Sequence, residues 1–160
     1  SGKGAIFEIL LPLENISDSS FFQSKSREFL PGTGKVLILD DREIVLQSTH
    51  DLLELLGYEV QIAKSISEGL QRHKEAIEQG HPFGVIILDL QIETENDGLT
   101  ALKKIREVDT EVITILSTAH IDDPAYLNYK EFGFAHAIRK PHDLADLSKI
   151  LWETLQNRST

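Results

Sequence analysis

The sequence contains no cysteine, and that absence excludes disulfides, thiolate catalysis and cysteine-ligated zinc and fits a reducing compartment. It has no run of 18 apolar residues and no charged-then-apolar leader with a small-residue cleavage site, so neither a transmembrane helix nor a secretory signal is expected within it. It is short of positive charge: 16 Lys and Arg stand against 26 Asp and Glu, a formal net charge of -10. Without clustered cations, nucleic acid and an anionic membrane surface are poor partners. No internal repeat is visible. What remains is 160 residues, 41% hydrophobic, enough for one globular domain plus an appendage. The cytoplasm is the expected compartment.

The organising stretch is Gly84-Val85-Ile86-Ile87-Leu88-Asp89. Four branched aliphatics between Gly84 and Asp89 are too few for a helix and rich in β-formers, so they predict a strand buried on both faces. Val36-Leu37-Ile38-Leu39 repeats the design and stops on Asp40-Asp41, and Val112 to Leu116 stops on Ser117-Thr118. Two further strands are expected, Tyr58 to Ala63 and Ala135 to Arg139. Helical spacing predicts helices over Arg42 to Leu56, closed by Gly57, and over Ser65 to Gln79, where Ser65 and Glu68 form a capping box. More helices are predicted from about Gly98 to Val108, around Pro124 to Phe132, and from Asp143 to Leu155. Alternating strands and helices with short connections give a doubly wound α/β domain with a parallel sheet.

In such a sheet the strand C-termini share one edge, where the ligand crevice lies. That edge would gather Asp40, Asp41, Asp89, Thr118 and Lys140. Clustered carboxylates need a cation among them, and oxygen-only donors suit a hard divalent ion such as Mg²⁺ with phosphate oxygens completing its shell. Lys140 is a point charge suited to a phosphoryl oxygen, and Thr118 can donate to the same group. A carboxylate attacking phosphorus would form an acyl phosphate.

The set Asp40-Asp41, Asp89, Thr118-Ala119 and Lys140-Pro141, in this order and at these strand ends, resembles the receiver domain of two-component response regulators over residues 35–157. The resemblance implies a flavodoxin-like five-stranded sheet of order 2-1-3-4-5 and a phosphorelay function in which Asp89 accepts a phosphoryl group from phosphohistidine. It implies Asp40, Asp41, Asp89 and the Gln91 carbonyl as ligands of Mg²⁺ (or Mn²⁺), Thr118 and Lys140 as contacts of the phosphoryl group, and a cis Lys140-Pro141 bond. The partner would be the phosphohistidine domain of a histidine kinase or phosphotransfer protein, and a homodimer is compatible with the family. Residues 1–13 are similar to the last Gly-rich box and final strand of the ATP-binding domain of sensor histidine kinases, and 14–34 have the composition of a linker. That layout is similar to a hybrid histidine kinase, whose parent is allowed a membrane anchor elsewhere. The chain itself would lack the kinase site and catalyse only its own phosphorylation and dephosphorylation.

Several positions depart from the family pattern. Glu93 stands where a proline is usual, Glu95 and Asp97 make the following loop acidic, and Ala137 stands where an aromatic switch residue is usual. Gln91 and His120, two residues after the acceptor and the hydroxyl, are expected to tune phosphate loss. The main rival is a pseudo-receiver that signals by protein contacts alone. A flavodoxin-like cofactor binder would need a phosphate loop where Asp41-Arg42-Glu43 stands, and a dehalogenase-type phosphatase would need Asp-x-Asp there. Asp41 has a bland reading as a helix cap. The histidines show no metal-ligand spacing, and surface or structural roles are expected for all but His120.

Overall fold

The computed structural model describes residues 29–92 and 97–156. The kinase-like stretch 1–13, Phe21-Phe22 of the linker, Glu93 and Glu95 therefore lie outside the described residues. The elements are β1 (Lys35–Leu39), α1 (Glu43–Leu55), β2 (Glu59–Ala63), α2 (Ile66–Glu78), β3 (Val85–Asp89), α3 (Asp97–Val108), β4 (Ile113–Thr118), α4 (Pro124–Leu127), β5 (His136–Arg139) and α5 (Leu144–Gln156). The strands form one five-stranded parallel sheet of order β2-β1-β3-β4-β5, as expected.

The pleat sorts each strand between two cores. Val36, Ile38, Val85, Ile87 and Ile115 point to one face and pack with Leu46 and Leu53 of α1 and Leu147 and Leu151 of α5. Leu37, Leu39, Ile86, Leu88 and Leu116 point to the other and pack with Ala76 of α2 and Ala101, Leu102 and Ile105 of α3. All five residues of β3 are buried, because the central strand has helices above and below. Each of its four aliphatic side chains contributes about 1.5–3 kcal/mol of burial free energy, so this strand anchors the edge that carries the acids.

Local chemistry explains the ends. Ser65 caps α2, its Oγ accepting from Glu68 N. The return bond of the expected capping box goes one residue further out, from Lys64 N to Glu68 Oε2 at 2.8 Å. Gly57 follows α1 at φ +95°, the left-handed conformation that a C′ glycine takes at little strain. The expected helix from Pro124 to Phe132 is cut short at Leu127. Asn128 leaves helical geometry at φ -122°, ψ 34°, while its main-chain N and its Nδ2 both donate to the Pro124 carbonyl; such local side-chain bonding competes with helix propagation. Leu30, at the end of the linker, docks on α5: its N–H donates to Ser148 Oγ at 2.8 Å.

Gly98, in the first turn of α3, sits where the chain returns against the end of β3. A Cβ there would lie 2.5 Å from Asp89 O and 2.7 Å from Leu90 Cα, and backbone cannot yield as a flexible side chain can. Gly98→Ala is expected to cost about 2 kcal/mol through overpacking, read from urea unfolding. A loss below about 0.5 kcal/mol would show that α3 can retreat from β3 freely.

Candidate functional site

Register brings the site residues together. Leu39 pairs with Leu88, so Asp40 and Asp89 follow side by side; Asp89 pairs with Ser117, and Thr118 with Arg139, one residue before Lys140. Asp40 and Asp89 are 1% and 3% exposed, Thr118 1% and Lys140 7%. Such burial of two carboxylates demands a partner. Lys140 supplies it: its Nζ pairs with Asp40 Oδ2 and lies 2.8 Å from Asp89 Oδ1. The Lys140-Pro141 peptide is cis, as the resemblance implied.

Asp41 is exposed and does not cap α1, whose N-cap is Arg42 without a side-chain bond. Instead one carboxylate oxygen from each of Asp40, Asp41 and Asp89 lies within 4.8 Å of the others. Asp41 has no hydrogen-bond or ion-pair partner among the described residues, so one open carboxylate joins two buried ones. Three hard oxygen donors converging without full internal neutralisation fit a divalent cation. Gln91 N donates to Asp89 Oδ1 at 3.4 Å, which places Gln91 at the rim. Thr118 Oγ1 accepts from His120 N at 3.1 Å, leaving its own proton to donate elsewhere.

Comparison with known proteins decides the family. The response regulator receiver domain model matches residues 36–151. This chain belongs to that family. A CheY-like receiver from Methanospirillum hungatei JF-1 superposes with a TM-score of 0.67 at 26% identity, over 80% of this chain and 98% of that one. The regulatory protein AtoC of Escherichia coli is 29% identical over 78% of this chain and 26% of its own length. The sensor kinase CckA of Brucella abortus is 27% identical over 98% of this chain but 17% of its own length. This chain thus spans about a quarter of the length of AtoC and less of CckA.

One departure of this receiver is visible in the structure. Ala137 pairs with Leu116 across the sheet and leaves no ring on β5 at that position, while Tyr129 stacks on His136 with centroids 6.3 Å apart. Of the acidic loop, Glu93 and Glu95 lie outside the described residues, and nothing is described of the Asp97 side chain.

The sequence reading missed two neighbours of the site. Arg42 reaches back over the acids, Nε 3.4 Å from Asp40 Oδ1 and a terminal nitrogen 3.9 Å from Asp89 Oδ2. His142, two residues past Lys140, joins Thr49 of α1 at 2.7 Å through Nδ1 and Ser117 of β4 at 2.8 Å through Nε2. The signal was present: Thr49 and Ser117 are polar positions inside otherwise apolar stripes. Burial, and then the Lys140 charge, push the His142 pKa down to about 4, so the imidazole is neutral and bonds both hydroxyls in either tautomer. His73 is fully buried on α2, a structural position. His50 does converge with Asp51 and Glu54, a grouping not expected from spacing, yet all three lie on the outer side of α1, where the His50 ring faces both carboxylates.

Proposed function

We propose that this receiver accepts a phosphoryl group on Asp89 from a phosphohistidine protein in a His-Asp phosphorelay. The observation that carries the reading is the ion-paired cluster itself: Lys140 between Asp40 and Asp89, with Asp41 open beside them. Asp89 Oδ1 is held by Lys140 and by Gln91 N, which leaves Oδ2 as the attacking oxygen. That oxygen bonds to phosphorus as the phosphorus–nitrogen bond breaks and the donor imidazole departs. Asp40, Asp41 and the Gln91 carbonyl would hold Mg²⁺ beside Asp89, and the ion, when bound, supplies positive charge to the phosphoryl oxygens. Lys140 would follow the phosphoryl group as its cationic partner, and Thr118 would donate to a phosphoryl oxygen.

The wider assignment is to a hybrid sensor histidine kinase, with residues 1–13 as the end of its ATP-binding domain, 14–34 as linker and 35–157 as receiver. It is supported by the alignment to sensor kinase CckA, which runs over 98% of this chain and so beyond the receiver. The fragment would work in the cytoplasm. No helix among the described residues is long and apolar enough to cross a membrane.

Intact mass after incubation with acetyl phosphate and Mg²⁺ tests the reading. One added phosphoryl group is expected, absent without Mg²⁺ and absent in Asp89→Asn. An unmodified wild type would instead make the domain a phosphorylation-independent binding module.

A further inference from the structure

Of the described residues, two cations reach the acid cluster, and they are held very differently. The Lys140 side chain is 5% exposed and clamped by Asp40 and Asp89. The Arg42 side chain is 49% exposed, and its contacts are the longer ones, 3.4 Å to Asp40 and 3.9 Å to Asp89. What fixes residue 42 is its backbone, whose N–H donates to Asp40 Oδ1 at 3.0 Å. The side chain makes no cap bond to α1, so the guanidinium is free to leave without disturbing the helix or the orientation of Asp40.

Charge balance gives that freedom a purpose. Three carboxylates against Lys140 and Arg42 leave one negative charge uncompensated. A divalent cation added beside both side chains would overshoot to net positive, whereas a divalent cation taking the place of Arg42 makes the cluster neutral. Two cations crowded onto the same oxygens also repel each other strongly at this burial.

We propose that Arg42 is a built-in competitor of the divalent cation: its guanidinium occupies the space beside Asp40 and Asp89 until Mg²⁺ displaces it into solvent. The inference rests on the phosphoacceptor reading and adds regulation to it, because the cation affinity is then set by an intramolecular ion pair. An exposed pair of this kind is weak enough to be displaced and strong enough to lower occupancy at limiting Mg²⁺.

The test is calorimetric titration of the full chain with Mg²⁺ in the absence of any phosphoryl donor. Arg42→Gln is expected to tighten binding about fivefold. Lys64→Gln is the control: Lys64 sits past β2 on the same sheet edge, paired with Glu43 rather than with the aspartates, and its removal is expected to change the affinity less than about twofold. The Arg42 effect is also expected to survive about 0.5 M KCl, where the screening length is roughly 4 Å. Equal tightening in both variants, lost in high salt, would make Arg42 a remote charge and overturn the proposal. Unchanged or weaker binding in Arg42→Gln, with acetyl phosphate still modifying Asp89, would overturn it while leaving the phosphoacceptor reading intact. If neither wild type nor Arg42→Gln binds Mg²⁺ or takes a phosphoryl group, both fall together.

Discussion

Replacing Lys140 with methionine is expected to lower the unfolding free energy by about 4 kcal/mol in Mg²⁺-free buffer at neutral pH, the cost of leaving a buried ion pair half made. Methionine keeps the stem volume and removes only the ammonium. Asp40 and Asp89, 1% and 3% exposed, would then face each other with the half-exposed Arg42 as their remaining cation. Urea unfolding with chelator present measures the loss. Mg²⁺ should restore more stability to the variant than to wild type, because a ligand that binds only the folded state stabilises it in proportion to its affinity. The double variant with Asp89→Asn should recover much of the deficit, since one of the two stranded charges is gone; such coupling is what contact within one network produces. A single-variant loss below about 1 kcal/mol would mean that the aspartates are solvated well enough to dispense with Lys140.

This dependence explains why so much of the site was legible in the sequence. An apolar run that stops on a polar residue signals a buried strand and a polar edge at once, and three such runs, two ending on the carboxylates Asp40 and Asp89 and one on the hydroxyl of Thr118, mark the crevice before any contact is known. The parallel register then does the rest, because residues just past paired positions must be neighbours. Helix existence was legible from periodicity, but the length of α4 was not. Its pattern continues past Leu127, and the stop comes from a local contest in which Asn128 takes the Pro124 carbonyl with both its nitrogens.

Side-chain reach was the least legible property. Nothing in Asp40-Asp41-Arg42 says whether the guanidinium points to solvent or turns back, and only the extended geometry of Arg42 at φ -93°, ψ 111° brings it over the acids. His142 lies far in sequence from Thr49, and their contact follows from α1 and α5 sharing one face of the sheet. The expected structural role of most histidines holds for His73 and His142, whereas the convergence of His50, Asp51 and Glu54 needed the helix to be built.

The same buried histidine makes the receiver acid-sensitive in a window that can be stated. His142 has a folded pKa of about 4, lowered first by burial and then by Lys140. The unfolded chain, with an ordinary imidazole pKa of about 6.5, takes up its proton first as pH falls. A group that binds protons more tightly when unfolded contributes stability above its unfolded pKa, and that contribution drains away as pH drops toward the folded value. Over the interval from about 6.5 to about 4 the loss from this one residue is on the order of 3 kcal/mol, at about 1.36 kcal/mol per unit. His73, also lowered by burial though partly opposed by Asp109, adds in the same direction. Glu68 is lowered chiefly by the Lys64 backbone bond and acts only below the ordinary carboxylate range. The His142 share is therefore read as a difference. His142→Gln keeps a donor and an acceptor for Thr49 and Ser117 and cannot titrate, so it should lie close to wild type at neutral pH. Its curve should be the flatter one between pH 7 and 4, with wild type falling progressively below it toward the acid end. Parallel curves would show that the hydroxyl-bonded imidazole titrates as it does in water, and that the acid sensitivity lies with His73.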